Sequence, residues 1–245
     1  MHSLSAASLL DVWEDGASRS PARWASELLA AAYPELSPEW FATLSIGQRD
    51  ARLLALREEL WGPRMAAVVA CPACRDRLEL MLDTREILSD CPPEQASESS
   101  ADIAGYRVTF RLPTSEDVAW AASRSTDVEI CRSLILQGCL LSARQGEAQA
   151  DWEQLPPEVI EGLTEWMAKA DPLADIQLAL TCPSCMQGWS AGFDIVSFLW
   201  TEIEVWAWRI LNDVHTLARA YAWRERDILN LSPRRRQFYL ERVGV

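Results

Sequence analysis

The chain is short of the residues that most catalytic schemes require. Histidine occurs only at His2 and His215 in 245 residues, which removes most histidine-based acid–base and metal chemistry. Lysine occurs once, at Lys169, so arginine supplies nearly all of the 23 basic residues, against 36 acidic ones. The net charge of −13 and a pI near 4.7 argue against nonspecific nucleic-acid binding, which needs cations to displace condensed counterions. No apolar run approaches the roughly 18 residues of a membrane span, and Met1-His2-Ser3-Leu4 lacks the basic and apolar segments of a secretory signal. Gly-x-Gly-x-x-Gly, the Walker loop, Gly-x-Ser-x-Gly and His-Glu-x-x-His are all missing. The expectation is a cytoplasmic protein without enzymatic activity, whose thiols stay reduced and whose paired cysteines point to metal rather than disulfides.

What the chain does contain is apolar surface. Apolar residues make up 49% of it, enough for a sizeable core, and twelve tryptophans suggest broad buried faces or a partner surface. Helical periodicity dominates the N-terminal third. Ser20-Pro21 caps a helix carrying Trp24, Leu28, Leu29 and Tyr33, and a second is predicted over 47–61 with Gly62-Pro63 at its end. Alternation predicts strands over 77–83, 106–112 and 176–180, with a fourth at 189–193. Residues 88–103 and 142–157 read as polar connections. Thr114 with Asp117 opens a further helix, and others are expected over 127–141 and from Val159 to about Asp171. Asp194 caps an apolar helix, helical pattern continues over 202–221, and Ser232-Pro233 starts the last helix.

One near-duplication carries the chemistry. Cys71-Pro72-Ala73-Cys74 and Cys182-Pro183-Ser184-Cys185 are two copies of one turn. Two residues between cysteines let both sulfurs face one ion, while amides of the turn stabilise thiolates. A predicted strand follows the first pair and precedes the second, the layout of a ribbon whose two knuckles close on one zinc. The 107 residues between Cys74 and Cys182, against about 15–20 in a compact ribbon, make such a site discontinuous. Four thiolates leave no open coordination position, so the single zinc would be structural, and apparent zinc free energies of about 10–16 kcal/mol are ample to clamp two distant segments. A thioredoxin-like redox pair would need one motif at a helix N-terminus after a strand, and inert buried thiols are the plain alternative for any lone cysteine. Cys91, Cys131 and Cys139 lack the spacing. Cys131 and Cys139 read as small hydrophobes on a helix face, and Cys91 as a free thiol in a polar loop.

Two further features suggest a partner surface. Trp200, Trp206, Trp208, Tyr221 and Trp223 lie along or just beyond one helical stretch, and residues two apart point about 200° around the axis, so the helix is apolar on more than one side. Arg224, Arg226, Arg234, Arg235, Arg236 and Arg242 form a basic patch suited to carboxylates on an acidic protein surface. The bland readings are buried core for the first and a solvated helix face for the second. His215 sits in a helical pattern within reach of Asp213 or Glu204, and a lone histidine of this kind is more often structural than catalytic.

These residues together resemble the zinc-knuckle baseplate proteins of contractile phage tails and contractile injection systems, relatives of the T-even phage baseplate-hub assembly chaperones. The resemblance spans roughly residues 44–243. It rests on Leu44-Ser45-Ile46-Gly47-Gln48-Arg49-Asp50, both cysteine pairs, Phe110-Arg111-Leu112-Pro113-Thr114-Ser115 with Asp117, and Asp171-Pro172. It also rests on Trp189 with Phe193-Asp194, Phe198-Leu199-Trp200, and residues 215–240. Arg75 and Met186 depart from the pattern, standing where knuckles of this kind favour glycine. The resemblance implies an assembly chaperone or small component of the baseplate that binds a hub or spike-associated protein, with no nucleic-acid or membrane partner. A zinc-ribbon nucleic-acid or transcription module is the alternative, and a thiol oxidoreductase the third.

The expected architecture is α+β and mostly helical, with helices around a small antiparallel sheet and a discontinuous four-cysteine zinc ribbon. Residues 1–66 would form an N-terminal helical region, 67–112 with 173–195 the ribbon and sheet core, 113–172 a helical insertion, and 196–245 a C-terminal helical region.

Overall fold

A computed structural model describes residues 4–89 and 98–244. The chain opens with helices α1 (Ala6–Gly16), α2 (Pro21–Ala32), α3 (Pro38–Ala42) and α4 (Ile46–Trp61), followed by strands β1 (Arg64–Ala70) and β2 (Arg77–Asp83) and helix α5 (Thr84–Ser89). Strands β3 (Ser99–Ile103) and β4 (Tyr106–Phe110), helices α6 (Ser115–Ala122) and α7 (Val128–Cys139), and strands β5 (Leu140–Gln145) and β6 (Ala148–Ala150) come next. Helix α8 (Pro157–Ala170), strands β7 (Ile176–Thr181) and β8 (Gly188–Phe193), and helices α9 (Ile195–Tyr221), α10 (Glu225–Leu229) and α11 (Pro233–Val243) complete it. The fold is thus mixed and mostly helical, and no helix among the described residues is long and apolar enough to cross a membrane. The chain divides into two compact units, Met1–Pro38 with Ile195–Val245, and Glu39–Asp194.

The first unit is all helical. Ser20 Oγ accepts the Arg23 amide, Pro21 occupies the first turn, and Trp24, Leu28 and Leu29 are buried along one stripe of α2. The apolar helix expected after Asp194 and the helical pattern continuing over 202–221 form one helix, α9. In α9 Leu199, Ile203, Ala207, Ile210, Val214 and Leu217 recur three or four residues apart and are all buried. Beyond it Ala222 takes a left-handed conformation (φ 53°), which ends the helix, and α10 and α11 bring Ile228 and Leu240 against Val214 and Leu217.

Among its described residues the second unit holds three separate antiparallel sheets where the sequence suggested one: hairpin β1–β2, the four-stranded β3-β4-β5-β6, and hairpin β7–β8. Val108, Phe110 and Ala143 of the four-stranded sheet share a core with Leu136 and Cys139 of α7 and with Val159, Leu163 and Met167 of α8. Gly162 lets α8 pass close over β3, since a Cβ there would collide with Ile103. Four strands differ from the sequence reading. β1 precedes the first cysteine pair unannounced, β3 lies inside the expected loop 88–103, and β5 and β6 lie inside the expected connection 142–157. The helix expected over 127–141 ends at Cys139, because Leu140 turns extended and joins β4.

Helix α4 organises this unit. A reciprocal Ser45–Gln48 capping box closes its N-terminus, Ile46 N–H donates to the Pro113 carbonyl, and Gly47 N–H donates to Asp171 Oδ2 at 3.0 Å. Arg49 bonds Ser115 Oγ at 2.6 Å and pairs with Asp50 at 2.6 Å. The short motifs around Gly47, Ser115 and Asp171 are therefore one buried polar cluster. The C-terminal end of α4 holds the base of the first hairpin. Arg57 donates to the carbonyls of Gly62 and Arg64 at the start of β1, and Glu58 accepts from Thr84 and Arg85 just past β2.

Candidate metal centre

Each cysteine pair sits at the tip of a hairpin, the first between β1 and β2 and the second between β7 and β8. The two tips fold alike. Cys71 N–H donates to the Asp76 carbonyl at 2.8 Å and Arg75 N–H to the Cys71 carbonyl at 2.9 Å. In the second tip Cys182 N–H reaches the Gln187 carbonyl and Met186 N–H the Cys182 carbonyl, both at 2.9 Å. Arg75 and Met186 adopt left-handed φ of 64° and 61°, so the glycine-like turn forms without glycine.

The tips face one another. Cys71 Sγ lies 3.6 Å from Cys185 Sγ, Cys74 Sγ lies 3.6 Å from Cys182 Sγ, and all four sulfurs fall within 4.8 Å of each other. A tetrahedron with metal–sulfur bonds of about 2.3 Å has sulfur–sulfur edges of about 3.8 Å, so these spacings suit four thiolates around one ion. No sulfur pair is bonded, since a disulfide would bring its atoms to about 2.05 Å. Cys71 and Cys182 are buried while Cys74 and Cys185 face solvent. Ser184 Oγ hydrogen-bonds Asp76 Oδ2, a direct link between the tips that spacing alone did not reveal.

The turns tune the thiols unequally. The backbone N–H of Cys74 favours the Cys71 thiolate against burial, helped by the Ala73 amide and the Cys185 and Cys74 thiols, and brings Cys71 down to about 7. At Cys74 the Asp76 amide also favours the thiolate, but desolvation by the crowded cluster and the three neighbouring sulfurs outweigh it and push the group up to about 12. Cys185 is likewise raised, because the Gln187 amide and the Cys74 thiol are overcome by desolvation within the cluster and by the Cys71 and Cys182 sulfurs. Crowded thiols that resist joint ionisation are the state that a divalent cation relieves. A redox Cys-x-x-Cys sits at a helix N-terminus, whereas both pairs here sit in hairpin turns. The other described cysteines stand apart. Cys139 is buried in the core beside α8, Cys131 is half-buried with its thiol on the Ser125 carbonyl, and Cys91 lies outside the described residues.

The candidate partner residues are spread along α9–α11. Trp200 packs edge-on against Trp24 and lines a cavity of about 350 Å³ with Gly16 and Arg19. Trp206 is half-buried beside Leu10, Ala207 and Ile210, while Trp208 is 63% exposed, edge-on to Trp13. Tyr221 stacks on Trp223 at 4.8 Å. Arg234 and Arg235 are exposed, but Arg236 is not part of an open patch: it is buried and paired with Asp213 at 3.1 Å. That pairing occupies Asp213, one of the two carboxylates, with Glu204, expected within reach of His215, which is exposed on α9.

The family model described as "T4 bacteriophage base plate protein" matches residues 9–200, a span that includes the α4 cluster and both cysteine hairpins and stops short of α10 and α11. No curated protein and no solved structure matches the chain. The chain belongs to the T4 bacteriophage base plate protein family.

Proposed function

We propose that the protein is a non-enzymatic assembly factor, a chaperone or a small bound component, for the baseplate of a contractile phage tail or injection system, and that it binds a hub or spike-associated subunit. The family match over residues 9–200 carries this reading. The four-sulfur cluster supports a structural zinc at Cys71, Cys74, Cys182 and Cys185, because four thiolates fill a tetrahedral shell and leave no position for substrate. The zinc would clamp the tips of two hairpins, the first anchored at its base by Arg57 of α4 and the second following the Asp171 segment that binds the N-terminus of the same helix. The net charge of −13 runs against the nucleic-acid alternative.

Co-expression with the baseplate and tail proteins of the same genome, followed by affinity capture, tests the reading. The expected result is a stoichiometric complex with a hub or spike protein. Capture of no tail component, from cells in which those components are soluble, overturns it.

A further inference from the structure

The last part of the chain inverts its charge. Residues 205–245 contain eight arginines and four acidic side chains, a net of +4, which leaves −17 on the preceding 204 residues. Arg209, Arg219, Arg224, Arg234 and Arg235 are exposed, and their guanidinium groups have no ion-pair or hydrogen-bond partner among the described residues. In the Glu39–Asp194 unit, by contrast, Arg85, Arg107 and Arg132 each pair with a carboxylate. Like charges gathered without partners repel one another, and an acidic surface relieves that repulsion.

On α11 the spacing makes this specific. Arg234, Phe238 and Arg242 lie at i, i+4 and i+8 and form one exposed stripe. Phe238 is 49% exposed, and the Arg242 guanidinium lies 5.1 Å over its ring. Behind it Tyr239 is edge-on to Phe238 at 5.4 Å and to Trp223 at 4.8 Å, and Trp223 stacks on Tyr221 at the end of α9. The exposed ring is thus backed by an aromatic platform, which lowers the entropy that binding must spend.

We propose that this stripe docks an acidic, extended segment of a partner polypeptide with the pattern acidic-x-apolar-x-acidic. Eight helical residues place the two arginines about 12 Å apart along the axis, and four extended residues span about 13 Å. Alternation then puts both carboxylates and the central apolar side chain on one face of the segment, the carboxylates on Arg234 and Arg242 and the apolar group on Phe238. The inference rests on the assembly reading only for its claim that the partner is a baseplate protein.

The test titrates full-length protein with the capped peptide Gly-Glu-Ser-Leu-Ser-Glu-Gly, followed by NMR, beside a lysine-for-glutamate control peptide. Saturable shifts at Phe238 and at the Arg234 and Arg242 side chains are expected, with the lysine peptide silent. Affinity should fall about tenfold in Arg234→Glu/Arg242→Glu and again on raising salt. Phe238→Ser should weaken binding on its own, and Arg144→Glu on β5 should leave it unchanged. Wild-type affinity in both stripe variants overturns the proposal. So does stronger competition from a short DNA duplex than from the peptide, or a salt-sensitive self-association that the same substitutions abolish. The stripe variants are also carried through the co-expression capture. A complex that survives them removes the stripe and keeps the assembly role, whereas peptide binding without any tail complex does the reverse.

Discussion

Gly47 shows how much one missing side chain decides. Its amide caps onto Asp171, 124 residues away, and a Cβ there would strike the Asp171 carboxylate. Gly47→Ala is expected to destabilise the Glu39–Asp194 unit by about 1–3 kcal/mol, read from urea unfolding, since the neighbour is a fixed cap rather than a flexible tip. Three residues on, burial pushes the Asp50 carboxyl up to about 6 from an ordinary 3.8; Arg49 opposes this, and the Asp194 and Asp171 carboxylates add to it. The folded chain therefore keeps a proton that the unfolded chain has released between those values. Stability from this group is fully present below pH 3.8 and is lost as pH rises through about 6, the reverse of an ordinary paired carboxylate. Between pH 7.5 and pH 5 the wild type is expected to gain about 1 kcal/mol relative to Asp50→Asn; parallel pH profiles would contradict the assignment.

Among the elements, the knuckle turns carry backbone strain that the sequence does not relieve. Met186 holds a left-handed φ of 61°, which costs a residue with a Cβ about 1–2 kcal/mol. Met186→Gly is expected to leave stability unchanged or slightly higher, whereas Met186→Val should fall about 1–2 kcal/mol below the glycine variant in thermal or urea melts. Helices were readable at caps such as Ser20-Pro21 and Thr114 with Asp117, whereas α1, capped by Ser5, was not singled out. Strands were readable where polar and apolar residues contrast, as in β4. β1 gives no such contrast, because Ala66, Ala67, Val68, Val69 and Ala70 are small or apolar on both faces. β3 shows its inner face only through Ala101 and Ile103, and Leu140-Leu141 prolongs the apolar run of α7 into β5. The cysteine pairs were legible from spacing, but which sulfur meets which was not, since two near-copies of one turn do not by their cysteine spacing fix their mutual orientation. Nor could sequence place Gly47, Ser115 and Asp171 together, because nothing local in any of them names the others.

For the whole molecule, the two compact units make different predictions for metal removal. Chelation, or Cys182→Ser, should lower the melting temperature of the Glu39–Asp194 unit and raise amide exchange in β1, β2, β7 and β8. The helices of the other unit pack on their own core around Val214, Leu217, Ile228 and Leu240, and their exchange should stay slow. Uniform loss of protection, or none, would contradict a local clamp. The separation of the two hairpins along the chain also has a consequence for biosynthesis. At about 5–20 residues per second, the ribosome needs roughly 5–20 s to add the 107 residues that follow Cys74 before Cys182 emerges. During that interval Cys71 and Cys74 wait without their counterparts, open to oxidants and to whatever ions the cell offers. If the four thiolates hold zinc as proposed, the ion can complete its shell only late in translation, and maturation would require the first pair to stay reduced until then.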